Sequence, residues 1–268
     1  MNDGALGLLT LLTDFGTADW YVAAVRSTVL RLAPGARLAD ISHEVPPGDI
    51  ETAAFLLAAA APTFPAGTIH LAVVDPGVGS ERRILAVATP AAVFLAPDNG
   101  LLTPFLEPGA RVRAVDRPDL YLPGPGRTFH GRDRFAPVAA ALLRGEPFEA
   151  LGPELPDPVI LPAPPPRRQG RLLLGRVVHV DRYGNLVTDI PADWLPDGPF
   201  LAEVAGHATA VRVTHYRELA ARPAGTAGVL TGSLGSLELS LDGASLARSW
   251  QVRRGVEVRI TLDAAVTR

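Results

Sequence analysis

Seven prolines fall between Pro153 and Pro166 in LGPELPDPVILPAPPPRRQG, and this run divides the chain. Proline fixes φ and has no backbone N–H to donate, so the segment is neither a helix interior nor a central strand. We read 153–170 as a stiff linker. A chain of 268 residues holds one large domain or two modest ones, each with its own core. The run places two, at 1–152 and 171–268.

Before the prolines, strand-like and helix-like patterns alternate. LGLLTLLTD is an apolar run that ends on an acid, as a buried parallel strand does. WYVAAVRSTVLRLAPG has helical spacing and a Pro-Gly stop. RLADIS is a short strand, and IETAAFLLAAAAPTF is a buried helix that Pro62 interrupts. TIHLAVVDPGVG, RILAVATP, AVFLAPDNG and RVRAVD are further strands, and GRDRFAPVAAALLRG is a closing helix. This alternation predicts an α/β domain: an open, mostly parallel sheet with helices on both faces. After the prolines the pattern changes to short β-like runs separated by turn signals, among them RLLLGRVVHVD, GNLVTDI, FLAEVAG and RRGVEVRITL. They predict a smaller all-β, barrel-like domain.

Composition removes several classes of function. Cysteine is absent, so thiol catalysis, disulfide scaffolds and Cys-ligated zinc are excluded. All 25 basic side chains are arginine, which excludes a lysine Schiff base and a P-loop lysine. A net charge of −3 gives no electrostatic case for nucleic acid or anionic membrane. No apolar run spans a bilayer and the N-terminus lacks the basic start of a signal peptide, so a cytoplasmic location is expected. Many prolines, three Asn and two Gln suit a heat-tolerant protein, although GC-biased codon usage gives the same composition.

The candidate chemistry lies just past strand ends: Asp14 in LTDFG, Asp75 in VVDPGVG, and Asp98 and Asn99 in APDNG. Open parallel sheets bind ligands at those ends, whereas a lone Asp in such a place is commonly a turn former or helix cap. His130 stands before a helix in TFHGRDRFAP, placed to act as base or ligand. Arg82 and Arg83 follow the DPGVG turn, and His70, His179 and His207 read as structural or surface residues. Two site readings fit. Asp14, His43, Asp75, Asn99 and His130 resemble a dinuclear metal set for phosphoester hydrolysis, but HExxH, paired GD…GNH and DxDxDG spacings are missing. The other is a metal-free site in which Asp grips ribose hydroxyls and a base handles water. In the second domain Asp181, Tyr183 and Asn185 follow a strand, Tyr216 is read at a strand end, and Ser233 and Glu238 bracket a turn. That set suits a purine and an amino-acid zwitterion, or an ordinary hairpin with a core Tyr.

LTDFG at 12–16, DISHEV at 40–45, VVDPGVGSERR at 73–83, APDNGLL at 96–102, FHGRDRFAPVAA at 129–140, DRYGN at 181–185 and GSLGSLEL at 232–239 stand in order along the chain. Together they resemble the S-adenosylmethionine (SAM) hydroxide adenosyltransferases, relatives of the SAM-dependent fluorinase and chlorinase. The resemblance implies an N-terminal α/β domain, a C-terminal β-barrel and hydrolysis of SAM to adenosine and methionine. It also implies no metal or other cofactor, and a homotrimer with sites between one subunit's N-terminal domain and a neighbour's C-terminal domain. It gives Asp75, Arg82 and His130 the catalytic roles, Arg82 being chosen over Arg83 by its spacing of seven from Asp75. Asp14 would hold the ribose hydroxyls and Tyr216 would stack on adenine. Asp181, Tyr183, Asn185, Ser233 and Glu238 would hold the adenine or methionine portions. Tyr183 stands where relatives often have Phe, and the fluorinase-like branch has one more residue between the positions of Asp181 and Asn185. Halogenation, a non-catalytic adenosine or SAM sensor, and the metal phosphoesterase are the competing readings.

Overall fold

A computed structural model describes residues 7–123, 128–162 and 164–264. The chain forms two compact units, 1–162 and 163–268.

The first unit is built on a six-stranded sheet. Its strands are β1 (Leu8–Thr13), β2 (Arg37–Ser42), β3 (Thr68–Val73), β4 (Ile84–Ala88), β5 (Ala92–Pro97) and β6 (Arg111–Ala114), in spatial order β2-β1-β3-β5-β4-β6. The first four in that order are mutually parallel, and β4 runs antiparallel to both β5 and β6. Only residues 89–91 join β4 to β5, too few for a crossover, so the two form a hairpin. From β1 the chain passes through α1 (Tyr21–Leu32) to β2 on one side. It then passes through α2 (Ile50–Ala60) to β3 on the other. The order therefore reverses between β1 and β3, which leaves a crevice at their carboxyl ends.

Both faces of the sheet are buried because successive apolar side chains point to opposite sides. Leu9, Leu11, Leu71 and Val73 pack with Val25 and Val29 of α1 and with Val138 and Ala139 of α3 (Ala136–Leu143). Leu12, Ala72 and Val74 pack with Ala53 and Leu57 of α2. The expected helices on both faces are present.

His70, on central strand β3, is 1% exposed. Its Nδ1 lies 2.7 Å from Thr10 Oγ1 and its ring stacks on Phe94 at 4.9 Å. Burial pulls its pKa down to about 4. A depressed histidine is neutral when folded, so its contribution is fully present above pH 6.5 and is lost as pH falls toward 4. At 1.36 kcal/mol per pKa unit this group alone removes about 3 kcal/mol across that window. Denaturant titrations at pH 7 and pH 4 should show a smaller loss for His70→Gln than for the parent; equal losses would refute the assignment.

The proline-rich run is not a free spacer throughout. Leu155 N donates to Val112 O (3.0 Å), Val159 N to Asp98 Oδ1 (2.8 Å) and Leu161 N to Thr103 Oγ1 (2.8 Å). Residues up to Pro162 are thereby part of the first unit.

The second unit contains β7 (Arg167–Gln169), β8 (Leu172–Val180), β9 (Leu186–Pro191), β10 (Phe200–Val204), β11 (His207–Thr209), β12 (Ala227–Thr231), β13 (Ser236–Leu241) and β14 (Glu257–Leu262). Their order is β11-β10-β14-β8-β9-β13-β12, all antiparallel, with β7 pairing β8. The segment after β11 laces onto β12 through Val229 N to Val211 O (2.8 Å) and Val213 N to Val229 O (3.0 Å), nearly closing a barrel. Leu173, Val177, Leu186, Val229, Leu239 and Ile260 fill it.

Two one-turn helices, α4 (Arg217–Ala220) and α5 (Leu246–Ser249), interrupt this unit. Neither is long enough to show helical periodicity in the sequence. Tyr216 accordingly precedes a helical turn and does not end a strand. Among the described residues no helix is long and apolar enough to cross a membrane.

Candidate active site

Asp14 follows β1 and Asp75 follows β3, so the reversal in strand order puts both acids on one crevice. Asp14 Oδ2 accepts from Gly48 N at 2.9 Å, which fixes its carboxylate against the loop after β2. The DPGVGS segment turns twice, through Val78 N to Asp75 O (3.2 Å) and Ser80 N to Gly77 O (3.1 Å). The turns bring Arg82 back onto Asp75.

Arg82 Nε donates to Asp75 Oδ1 at 3.0 Å and Oδ2 at 2.9 Å, and Nη2 also contacts Oδ2. The side chains are 11% and 6% exposed, so this ion pair is nearly dry. Nη2 also lies 2.8 Å from His130 Nδ1. A guanidinium has donors only, so Nδ1 accepts and the neutral ring carries its proton on Nε2. Burial, and then the charges of Arg134 and Arg82, hold the His130 pKa below its ordinary value. The Phe135 ring lies under the guanidinium at 5.3 Å. Arg82 Nη1 and His130 Nε2 are buried with no partner among the described residues. Unpaired buried donors are uncommon and mark a functional position.

His130 is set by the helix that follows it. Gly131–Phe135 form a π-helical turn, with Ala136 N donating to Gly131 O, before the chain becomes α-helical in α3. Such turns recur at functional sites. Asp14, Asp75 and His130 line a cavity of about 670 Å³.

The two adjacent arginines diverge. Arg83 Nε donates to Asp98 Oδ2 (2.7 Å) and Nη1 to Asp157 Oδ1 (3.1 Å), fastening the proline-rich segment. Asp98 is thereby engaged, and Asn99 Nδ2 donates to Val74 O (2.9 Å), tying β5 to the end of β3. His43 is buried against Thr13 and Asp40. The five residues of the dinuclear reading do not converge: among the described residues no three His, Asp or Glu side chains gather as a metal site.

Sequence reasoning missed an aromatic corner of this cavity. Phe15, Trp20, Tyr21 and Phe129 line it. Trp20 stacks on Tyr21 at 4.9 Å, and Phe129 meets the edges of Trp20 at 5.6 Å and Tyr21 at 5.2 Å. Trp20 remains 56% exposed. In the sequence Trp20 and Tyr21 are read as the start of a helix; an exposed Trp–Tyr pair beside a strand-end acid is the signal they carry.

The second unit has its own cavity, of about 910 Å³, lined by Asp181, Tyr183, Asn185 and Tyr216 together with Ser240 and Arg248. Asp181 is largely occupied by its turn: Oδ1 accepts from Tyr183 N (2.9 Å) and Asn185 N (2.8 Å), and Oδ2 from Asn185 Nδ2 (2.9 Å). Asn185 Oδ1 accepts from Ser240 Oγ at 2.6 Å. These two side chains shape the rim, and the rings project from it, Tyr183 being 77% exposed. Tyr216 OH donates to Glu238 Oε1 at 2.6 Å. Burial is the main reason that both acidities are weakened, in Tyr216 and in Glu238. Glu238 is buried and reaches the cavity through Tyr216, while Ser233 is exposed on the hairpin between β12 and β13.

Residues 9–152 match the model of the SAM hydroxide adenosyltransferase N-terminal domain, and residues 175–259 match that of the C-terminal domain. An (R)-S-adenosyl-L-methionine hydrolase of Thermus thermophilus is 40% identical over 93% of this chain and 97% of its own. The crystal structure of a conserved protein from Thermotoga maritima superposes with a TM-score of 0.86 at 33% identity, covering 94% of this chain and 99% of that one. A fluorinase of Actinopolyspora mzabensis is more distant, 28% identical over 95% of this chain and 97% of its own.

Proposed function

The chain belongs to the SAM hydroxide adenosyltransferase family, and on that premise we propose that it hydrolyses (R)-S-adenosyl-L-methionine to adenosine and L-methionine. The observation that carries the chemistry is Arg82, bonded at once to Asp75 and to His130, with the buried Nη1 donors of Arg82 and the buried Nε2 of His130 left over.

The leaving group is a neutral thioether and needs no acid. The difficulty lies in the nucleophile, because water is weak at neutral pH. The C5′–O bond forms as the C5′–S bond breaks, the electron pair goes to sulfur, and the water's proton leaves to solvent. Arg82 Nη1 and His130 Nε2 act as donors toward the developing hydroxide, stabilising it before it attacks. With Nδ1 occupied by Arg82 and the proton on Nε2, His130 works here as a donor and not as the base that its sequence position allows. Asp75 holds the guanidinium in place. Asp14 holds the ribose diol, so that C5′ meets the oxygen in line; such positioning supplies roughly 7–11 kcal/mol of the barrier. No step requires a metal or cofactor. Tyr216, Tyr183 and the Asp181–Asn185 turn are assigned to the adenine and amino-acid portions, with Ser233 and Glu238 beside them. The homotrimer belongs to the same proposal, and sedimentation of the purified chain checks it.

Incubating EDTA-treated protein with SAM and excess chloride, then resolving the products, tests the reading. Adenosine and methionine in equal amounts are expected, and both should disappear in His130→Ala. Chlorinated adenosine would place the chain with the halogenases, and binding without turnover would make it a sensor. The pH dependence of His130 adds a second check. His130 titrates below its ordinary 6.5, so its neutral form persists as pH falls past that value. Followed by NMR, the His130 ring should therefore titrate below pH 6.5; a midpoint above it would contradict the buried, Arg-bonded ring.

A further inference from the structure

His43 is buried, 5% exposed, and takes no part in the chemistry above. Its Nδ1 lies 2.8 Å from the hydroxyl of Thr13, the last residue of β1. The same hydroxyl accepts from Phe15 N at 3.3 Å. On its other side, His43 Nε2 lies 3.2 Å from Asp40 Oδ1 without hydrogen-bond geometry, and Asp40 Oδ2 accepts from Arg26 Nη1 of α1 at 2.8 Å. The His43 carbonyl accepts from Gly16 N at 2.8 Å. His43 thus meets the chain on both sides of Asp14, its imidazole through the Thr13 hydroxyl and its main-chain carbonyl directly at Gly16.

This arrangement depends on an irregularity in β2. Residues three apart on a regular strand point to opposite faces. The β1–β2 register shifts between Leu11, opposite Asp40, and Leu12, opposite Ser42. The extra residue brings Asp40 and His43 to the same side. Bulges are rare between parallel strands, and beside active sites they re-aim a side chain.

We propose that His43 is a positioning residue for substrate: it fixes the 13–16 loop so that Asp14 presents its carboxylate to the ribose hydroxyls. The inference rests on the SAM-hydrolase reading for the identity of what Asp14 holds. Asp40, held by Arg26, borders the imidazole, and Thr13 passes its position to the loop.

The variants are His43→Leu, which keeps bulk without nitrogen, and His43→Asn, whose amide can take the place of Nδ1. In His43→Leu, KM for SAM and Kd for adenosine should both rise about tenfold, with kcat within twofold of the parent. A tenfold change corresponds to about 1.4 kcal/mol of binding. His43→Asn should recover most of the affinity. If His43→Leu does not fold, Thr13→Val tests the same link, and amide exchange at Phe15 and Gly16 should accelerate in it. Unchanged adenosine affinity and unchanged exchange would overturn the proposal. A fall in kcat with KM constant would overturn it too, by moving His43 into the chemical step. A parent enzyme that fails to turn over SAM would instead defeat the functional reading, and the exchange measurement would still judge the loop.

Discussion

Arg82→Ala is expected to lower kcat on SAM by about two to three orders of magnitude, the usual cost of removing one preorganised donor, while adenosine still binds. The substitution also strands Asp75. That carboxylate is 6% exposed and, among the described residues, takes its ion pair from Arg82. Breaking such a pair from one side destabilises by about 3–5 kcal/mol, so stability must be measured with rate. Adding Asp75→Asn removes the stranded charge. The double variant should regain much of the stability and none of the turnover. Arg82→Lys restores charge without the planar fork that reaches Asp75 and His130 together, and it should remain well below parental kcat. If Arg82→Ala folds and retains more than a tenth of parental kcat, the role given to the guanidinium is wrong.

The second large effect is structural. Gly184 sits in the Asp181–Asn185 turn at φ +86°. A Cβ there would lie 2.0 Å from Ser245 Oγ and 2.7 Å from Ser245 Cα. The hydroxyl can rotate away, but the Cα cannot. The turn is also tied to α5, because Gly184 O accepts from Ala247 N at 2.9 Å. Gly184→Ala combines a left-handed side chain, about 1–2 kcal/mol, with overpacking, about 1–3 kcal/mol. A total near 2–5 kcal/mol should appear as a lower denaturant midpoint with weaker adenosine binding. A loss under about 1 kcal/mol would mean that α5 yields easily, and that the turn does not set the rim of its cavity.

The fold class was legible because apolar period and strand-end acids are local signals. LLTLLT followed by Asp14 announces a buried strand delivering a carboxylate, and the order of elements places it at the crevice. Other features are not local. The direction of β4 follows from the three-residue link to β5, and hydropathy carries no direction. Arg82 and Arg83 are indistinguishable as neighbours in a charged loop, and only the returning turn sends one to Asp75 and the other to Asp98. Asp181 and Asn185 carry hydrogen-bonding groups that suit a ligand, yet their geometry uses most of them to build the turn. The link from Asp40 to His43 was hidden because a strand pattern predicts opposite faces, and one extra residue cancels that rule.

The π-helical turn at 131–135 has a consequence for how this chain tolerates change. An α-helix turns by about 100° per residue. The π turn holds one residue more than an α turn needs, and that surplus sets the rotation at which His130 leaves the helix. Deleting a single residue from this turn would let the helix close in α geometry and swing His130 away from Arg82, although every polar group of the site would still be encoded. The reactivity of this region is therefore held in residue count as much as in residue identity, and a one-codon deletion here is a more damaging lesion than most substitutions along the same turn.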